Sequence, residues 1–233
     1  MIDLRQHEVM SFDCYGTLVD WEAGILGALR PLLAARGIEA ADDAILETYA
    51  RLEASAEEGP YAPYREVLGR VVERFARERG FAVSPAERGR LAESLPSWPL
   101  FADTTAALRR LARHFRLGVI SNIDDDLFAA TRARLGVRFD WVLTAEEAES
   151  YKPARRNFEM AMRKAGGSAS RWLHVAQSVW HDIVPARELG MTTIWVNRRR
   201  GRSGSGATPQ AAATPHLEVG SLDELAGLVE SSR

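Results

Sequence analysis

The sequence predicts an α/β fold: a doubly wound parallel sheet, interrupted just after its first strand by an inserted helical cap. Three observations carry this. Short apolar runs alternate with stretches whose apolar residues recur every three or four positions, the pattern of strands feeding crossover helices. That alternation lapses between residues 21 and 97, where only helical spacing is found. The chain has 233 residues, 46% of them hydrophobic, enough for one core domain with an insertion.

The elements follow in order. Residues 9–12 form a first strand that ends at Asp13, and Gly16-Thr17 turns the chain away. A helix then carries Ile25, Leu26, Leu29, Leu32 and Leu33. Another carries Val67, Leu68, Val71, Val72 and Phe75 and stops before Gly80. Ser84-Pro85-Ala86-Glu87 is a capping box with proline at the first helical position. Pro96-Ser97-Trp98-Pro99 marks the return to the sheet. The expected division is therefore a core of residues 1–20 and 98–233 and a cap of residues 21–97. Because the cap is inserted beside Asp13, it is expected to act as a lid.

Beyond the cap, Leu108, Leu111 and Phe115 mark a helix before a strand at 117–120. Leu127, Phe128, Thr131 and Leu135 mark the next helix, with Asp124-Asp125-Asp126 at its N-terminus, where the dipole favours acids. Strands are expected at 141–143, 173–176, 193–196 and 217–219. The last helix carries Leu222, Leu225, Leu228 and Val229 and opens on Ser221 and Glu224. Residues 201–214, rich in Gly, Ser and Ala, read as a flexible loop, with the Arg198-Arg199-Arg200 cluster solvated beside it. Trp141, Trp180 and Trp195 are expected to pack the core, and His181 to lie on a helix surface.

Thirty basic residues against 32 acidic ones leave a net charge of −2, which gives no reason to expect a nucleic-acid partner. One cysteine excludes a disulfide framework and fits a reducing cytoplasm. No export signal and no run of membrane-spanning length is found, so a soluble cytoplasmic protein without a membrane partner is expected.

Chemistry concentrates at strand ends. Asp13 follows an apolar strand, where parallel sheets place reactive groups, and a carboxylate there can act as a covalent nucleophile. Three further segments fall at comparable places. They are Val119-Ile120-Ser121-Asn122, Ser150-Tyr151-Lys152-Pro153, and Val175-Ala176-Gln177-Ser178 with Asp182 beyond. With Asp13-Cys14-Tyr15-Gly16-Thr17 they make four signals in fixed order, and together the chain resembles the haloacid dehalogenase (HAD) superfamily, nearest its L-2-haloacid dehalogenase branch. The resemblance implies a Rossmann-like core and makes Asp13 the nucleophile, Lys152 its counter-ion and Asp182 the acid that orients the lysine and positions water. It also implies substrate contacts from Tyr15, Thr17, Ser121, Asn122 and Ser178. A cap arginine for the substrate is implied too, with Arg51 preferred over Arg65, and a homodimer is possible.

Phosphatases of this superfamily carry acids where this chain has Tyr15 and Gln177, and together with phosphate they need Mg²⁺. What remains here, Asp13 and Asp182 against Lys152, is poor ligation for a hard divalent ion. Phosphoryl transfer without a metal loses its main electrostatic support. The expected activity is thus metal-independent, without cofactor. Asp13 forms an ester with a small anionic 2-haloacid-like substrate, halide departs, and water cleaves the ester. Two alternatives stay open: a Mg²⁺-dependent phosphatase using Asp124 or Asp125, and a catalytically silent binding protein. Three positions depart from the dehalogenase pattern: Gln177 and Val179 replace a serine and an asparagine, and Phe158 replaces a tyrosine.

Overall fold

The strands all run parallel. In the computed structural model, which describes residues 2–204 and 206–232, they are β1 (Val9–Phe12), β2 (Arg116–Ser121), β3 (Trp141–Thr144), β4 (Trp172–Ala176), β5 (Thr192–Val196) and β6 (Leu217–Val219). Their order across the sheet is β3-β2-β1-β4-β5-β6. The winding direction therefore reverses between β1 and β4, and at such a switch point the strand carboxyl ends leave a crevice. Val9 pairs with Arg116 on one side and Trp172 on the other, so β1, β2 and β4 end nearly level.

β1 and β4 are buried along their whole length, which explains why they read as unbroken apolar runs. The helices that follow β1 are α1 (Trp21–Ala34), α2 (Asp42–Glu57), α3 (Tyr64–Glu78), α4 (Pro85–Arg88) and α5 (Arg90–Ser94). The rest belong to the sheet layer: α6 (Thr104–Leu111), α7 (Asp125–Leu135), α8 (Ala145–Ala148), α9 (Arg155–Ala165), α10 (Val184–Glu188) and α11 (Leu222–Ser231). A single apolar cluster runs from Phe12 and Val119 in the sheet through Ile25, Leu46 and Phe75 in the helices after β1. The crossing is tight: a β-carbon on Gly24 would lie 2.2 Å from the Trp98 ring, so α1 can touch the returning chain only through glycine.

Several sequence expectations are corrected here. Trp180 is 40% exposed rather than packed in the core, because the turn that bears it faces outward. His181, the next residue, is buried instead. Arg199 is not solvated: burial brings it onto Glu22 at 2.8 Å and Asp43 at 2.9 Å, and Arg198 pairs with Asp103 at 2.9 Å. Arg199 thus fastens the loop after β5 to the helices that follow β1, and Arg198 ties it to the turn before α6. Among the described residues no helix is long and apolar enough to cross a membrane.

Candidate active site

Asp13 emerges from β1 with its side chain almost buried. The backbone turns at once, and Gly16 sits at φ +96°, a conformation that costs glycine little. That turn folds Thr17 back onto the strand end. Its Oγ1 donates to Asp13 Oδ2 at 2.7 Å and accepts from the Gln177 backbone N–H at 2.9 Å. The Tyr15 side chain leaves the crevice floor and meets Thr131 Oγ1 at 2.8 Å.

Lys152 enters from the loop before α9. Its Nζ donates to Asp13 Oδ1 at 2.9 Å, to Asp182 Oδ1 at 2.7 Å and to the Ile120 carbonyl at 3.0 Å. Asn122 fixes this loop. It accepts from the Lys152 backbone N–H at 2.8 Å and donates to the Lys152 carbonyl at 3.0 Å. Asp182 lies on a π-helical turn, Val179–Ile183, whose start is capped by Ser178. Behind Asp182, His174 Nε2 approaches the same Oδ1 at 2.9 Å, and His174 Nδ1 meets Ser11 Oγ at 2.8 Å. Phe158 sets its ring edge-on to His174, with 5.2 Å between centroids, so no hydroxyl stands there.

Burial opposes every one of these charges, and the partners decide the outcome. Desolvation pushes the Asp13 carboxyl up, and the Lys152 ammonium only partly offsets it. Desolvation would also raise Asp182, but Lys152 and His174 together outweigh it and hold that carboxyl below its ordinary value. Burial alone would lower the Lys152 pKa, yet the two carboxylates outweigh it and raise that pKa, so it stays charged.

The opposite wall comes from the helices after β1. Tyr49, Glu53 and Glu57 lie four residues apart on one face of α2, and Tyr64 opens α3. Tyr49 donates to Glu53 Oε1 at 2.8 Å, and the Tyr64 hydroxyl donates to the same oxygen. Glu57 accepts from Asn122 at 3.2 Å, and its Oε2 lies 4.0 Å from His181 Nε2. Burial raises Glu53 to about 7 and pushes Glu57 well above the carboxylate range. It lowers His181 to about 4, so that ring is neutral near pH 7.

Between the two walls lies a cavity of about 30 Å³, lined by Asp13, Tyr15, Trp21, Glu53, Glu57, Tyr64, Ser121, Asn122, Lys152, Ser178, His181 and Asp182. It has room for about two waters. Ser121 Oγ, His181 Nε2 and Asp182 Oδ2 are buried on it without a protein partner. Among the described residues lining it, one side chain is a cation, Lys152, and four carry carboxyl groups, of which burial holds Glu53 and Glu57 toward the protonated form. A further negative charge within ~4 Å of an ionised carboxylate would meet roughly 4 kcal/mol of repulsion at an effective dielectric of about 20.

The structure thus brings together Asp13, Thr17, Ser121, Asn122, Lys152, Ser178 and Asp182, with Tyr15 at the margin. It does not bring Arg51, which corrects the expectation of a substrate-binding arginine there. Two positions from Tyr49 and from Glu53, residue 51 falls on the far side of α2, where it pairs with Glu78 at 2.6 Å in solvent. Arg65 is also turned away, onto Asp126 at 2.7 Å. Sequence reasoning missed Glu53, Glu57 and His174. The signals were a stripe of polar residues at intervals of four on α2 and a histidine in the middle of an apolar strand. Nor do the donors suit a divalent ion. Gln177 stands in place of an acid, and among the described residues no three His, Cys, Asp or Glu are grouped to hold one.

The chain is similar to known proteins along most of its length. An (S)-2-haloacid dehalogenase of Pseudomonas sp. (strain YL) is 28% identical over 236 residues, covering 96% of this chain and 94% of that protein. A glyceraldehyde 3-phosphate phosphatase of Methanothermobacter thermautotrophicus is 38% identical over 100 residues, 42% of this chain and 44% of that protein. Among solved structures, the L-2-haloacid dehalogenase from Xanthobacter autotrophicus superposes with a TM-score of 0.79 at 18% identity, covering 96% of this chain and 98% of that one, which speaks to the fold. The family described as haloacid dehalogenase-like hydrolase matches residues 7–190, most of the chain, and this protein belongs to it.

Proposed function

We propose that this protein is a hydrolase of the dehalogenase type, in which Asp13 displaces a leaving group from carbon and residues 21–97 close over the reaction as a lid. The observation that carries this reading is the setting of Asp13. One oxygen is held by Lys152 at 2.9 Å and the other by Thr17 at 2.7 Å, at the floor of a cavity of about 30 Å³. A carboxylate so placed is a better nucleophile than base, since its unperturbed pKa is about 4.

In the first step an Asp13 oxygen bonds to the substrate carbon, and the leaving group departs with the bonding electron pair. Lys152 keeps Asp13 ionised until then. In the second, water adds to the ester carbonyl of Asp13, the acyl–oxygen bond breaks, and the alcohol product leaves. The net reaction releases one proton and one leaving-group anion. Asp182 positions the water through Oδ2, which has no other partner. The similarity to (S)-2-haloacid dehalogenases supports a carbon–halogen bond as the one broken.

A single turnover in ¹⁸O-water with enzyme in excess tests the route. Water oxygen enters the Asp13 carboxylate first, so label should appear on Asp13 and be absent from product. Label in product and none on Asp13 would mean that water attacks the substrate itself. The same turnover should survive EDTA. Loss that Mg²⁺ restores would move the assignment to phosphoryl transfer, the activity of the relative that matches over 100 residues.

A further inference from the structure

The wall facing Asp13 is acidic. α2 presents Glu53 and Glu57 to the cavity, both almost wholly buried, and neither has a cation as partner. Glu53 is held by two tyrosine hydroxyls on one oxygen, and Glu57 by an amide of Asn122 at 3.2 Å. These contacts orient the carboxyl groups without supplying a countercharge, so burial keeps both toward their protonated forms. The sole cation lining the cavity among the described residues is already divided between Asp13 and Asp182. An arginine that could receive a carboxylate is absent from the lining among the described residues, with Arg51 and Arg65 both committed elsewhere.

The cavity is nonetheless built for an occupant. Ser121 Oγ, 1% exposed, and His181 Nε2 lie on it without a protein hydrogen-bond partner. A buried carboxyl group without a counter-ion holds its proton until a cation arrives to pair with it, and then ionises against that cation. A substrate carboxylate would add a charge of the wrong sign. An ammonium supplies the missing one, with N–H donors for Glu53 and Glu57.

We infer that the site takes a small substrate carrying an organic ammonium group, which Glu53 and Glu57 hold while Asp13 attacks a neighbouring carbon. The attack rests on the nucleophile assigned above, whereas the charge preference is separable from it. Substrate selection by charge then falls to α2, and a 2-haloacid is a poor fit.

Two unreactive ions of similar size, propylammonium and propionate, separate these outcomes when titrated calorimetrically into wild-type protein. Propylammonium should bind more tightly by roughly tenfold or more. The Glu53→Gln/Glu57→Gln double variant should lose that preference while still melting cooperatively. If the double variant does not fold, Glu57→Gln alone should reduce the preference. Halide release, followed in parallel, should be faster from 2-chloroethylammonium than from chloroacetate. Propionate binding as tightly as propylammonium, or a preference untouched by the glutamine substitutions, would overturn the inference. Ammonium binding without halide release from either probe would instead count against the Asp13 chemistry and leave the charge preference standing.

Discussion

Lys152 carries more of the site than any other residue. It stands between two buried carboxylates at 2.9 and 2.7 Å, and removing it leaves them facing each other without a countercharge. Lys152→Ala should lower turnover by roughly 10³-fold and stability by about 3–5 kcal/mol. Residual activity should shift to higher pH, because Asp13 would then ionise less readily. Steady-state rates across pH, with circular dichroism as a check on folding, measure this. Near wild-type turnover would remove Lys152 from the mechanism. At this scale the sequence was informative: Asp13, Lys152 and Asp182 are 139 and 30 residues apart along the chain, yet each follows a strand or opens a turn where the fold collects such groups. Arg51 shows the limit. A residue's type suggested substrate binding, but the face of a helix it occupies depends on which stripe is buried, and two positions are enough to reverse it.

The helix α2 is where legibility failed, and the reason is physical. Its interior stripe mixes apolar residues with Tyr49, Glu53 and Glu57, so the apolar periodicity that revealed α1 and α3 is broken by the residues that reach the cavity. The central strands β1 and β4 suffered no such masking, since they are buried along their whole length. The buried acids should register in stability. Glu53 is raised from 4.5 to about 7, so the folded form keeps a proton that the unfolded chain gives up. That contribution is fully present below pH 4.5 and is lost as pH rises through about 7. Wild-type protein should therefore weaken between pH 5 and pH 8, with Glu57 acting in the same direction. Glu53→Gln should weaken less, by on the order of 2–3 kcal/mol. Urea midpoints at the two pH values decide this, and identical pH slopes would show that Glu53 does not titrate in the window.

At the scale of the molecule, the cavity is closed by contacts between the helices after β1 and the strand ends. Asp124, in the loop after β2, accepts from the backbone N–H groups of Tyr64 at 2.6 Å and Arg65 at 3.0 Å. Tyr151 donates to the Ala62 carbonyl at 2.6 Å, and Asn122 reaches Glu57. A cavity that holds about two waters cannot admit even a three-carbon substrate as it stands, so the proposed reaction requires these contacts to part in each cycle.

The position of Asp124 has a consequence for how that parting can be watched. Pro63, which precedes α3, offers no side-chain cap, so the first turn of this helix borrows its cap from across the crevice. If residues 21–97 lift as the proposed lid, two amide protons lose their acceptor and face solvent. Hydrogen exchange at Tyr64 and Arg65 is therefore a built-in counter of opening events, while β1 amides, deep in the sheet, report only global unfolding. Asp124→Ala should speed exchange at those two amides and cost about 1 kcal/mol of stability, leaving β1 protection otherwise in step with that loss. A ligand enclosed in the cavity should slow the same two amides. Exchange there that is unmoved by both the substitution and the ligand would mean that the helices and the sheet separate somewhere other than at this borrowed cap.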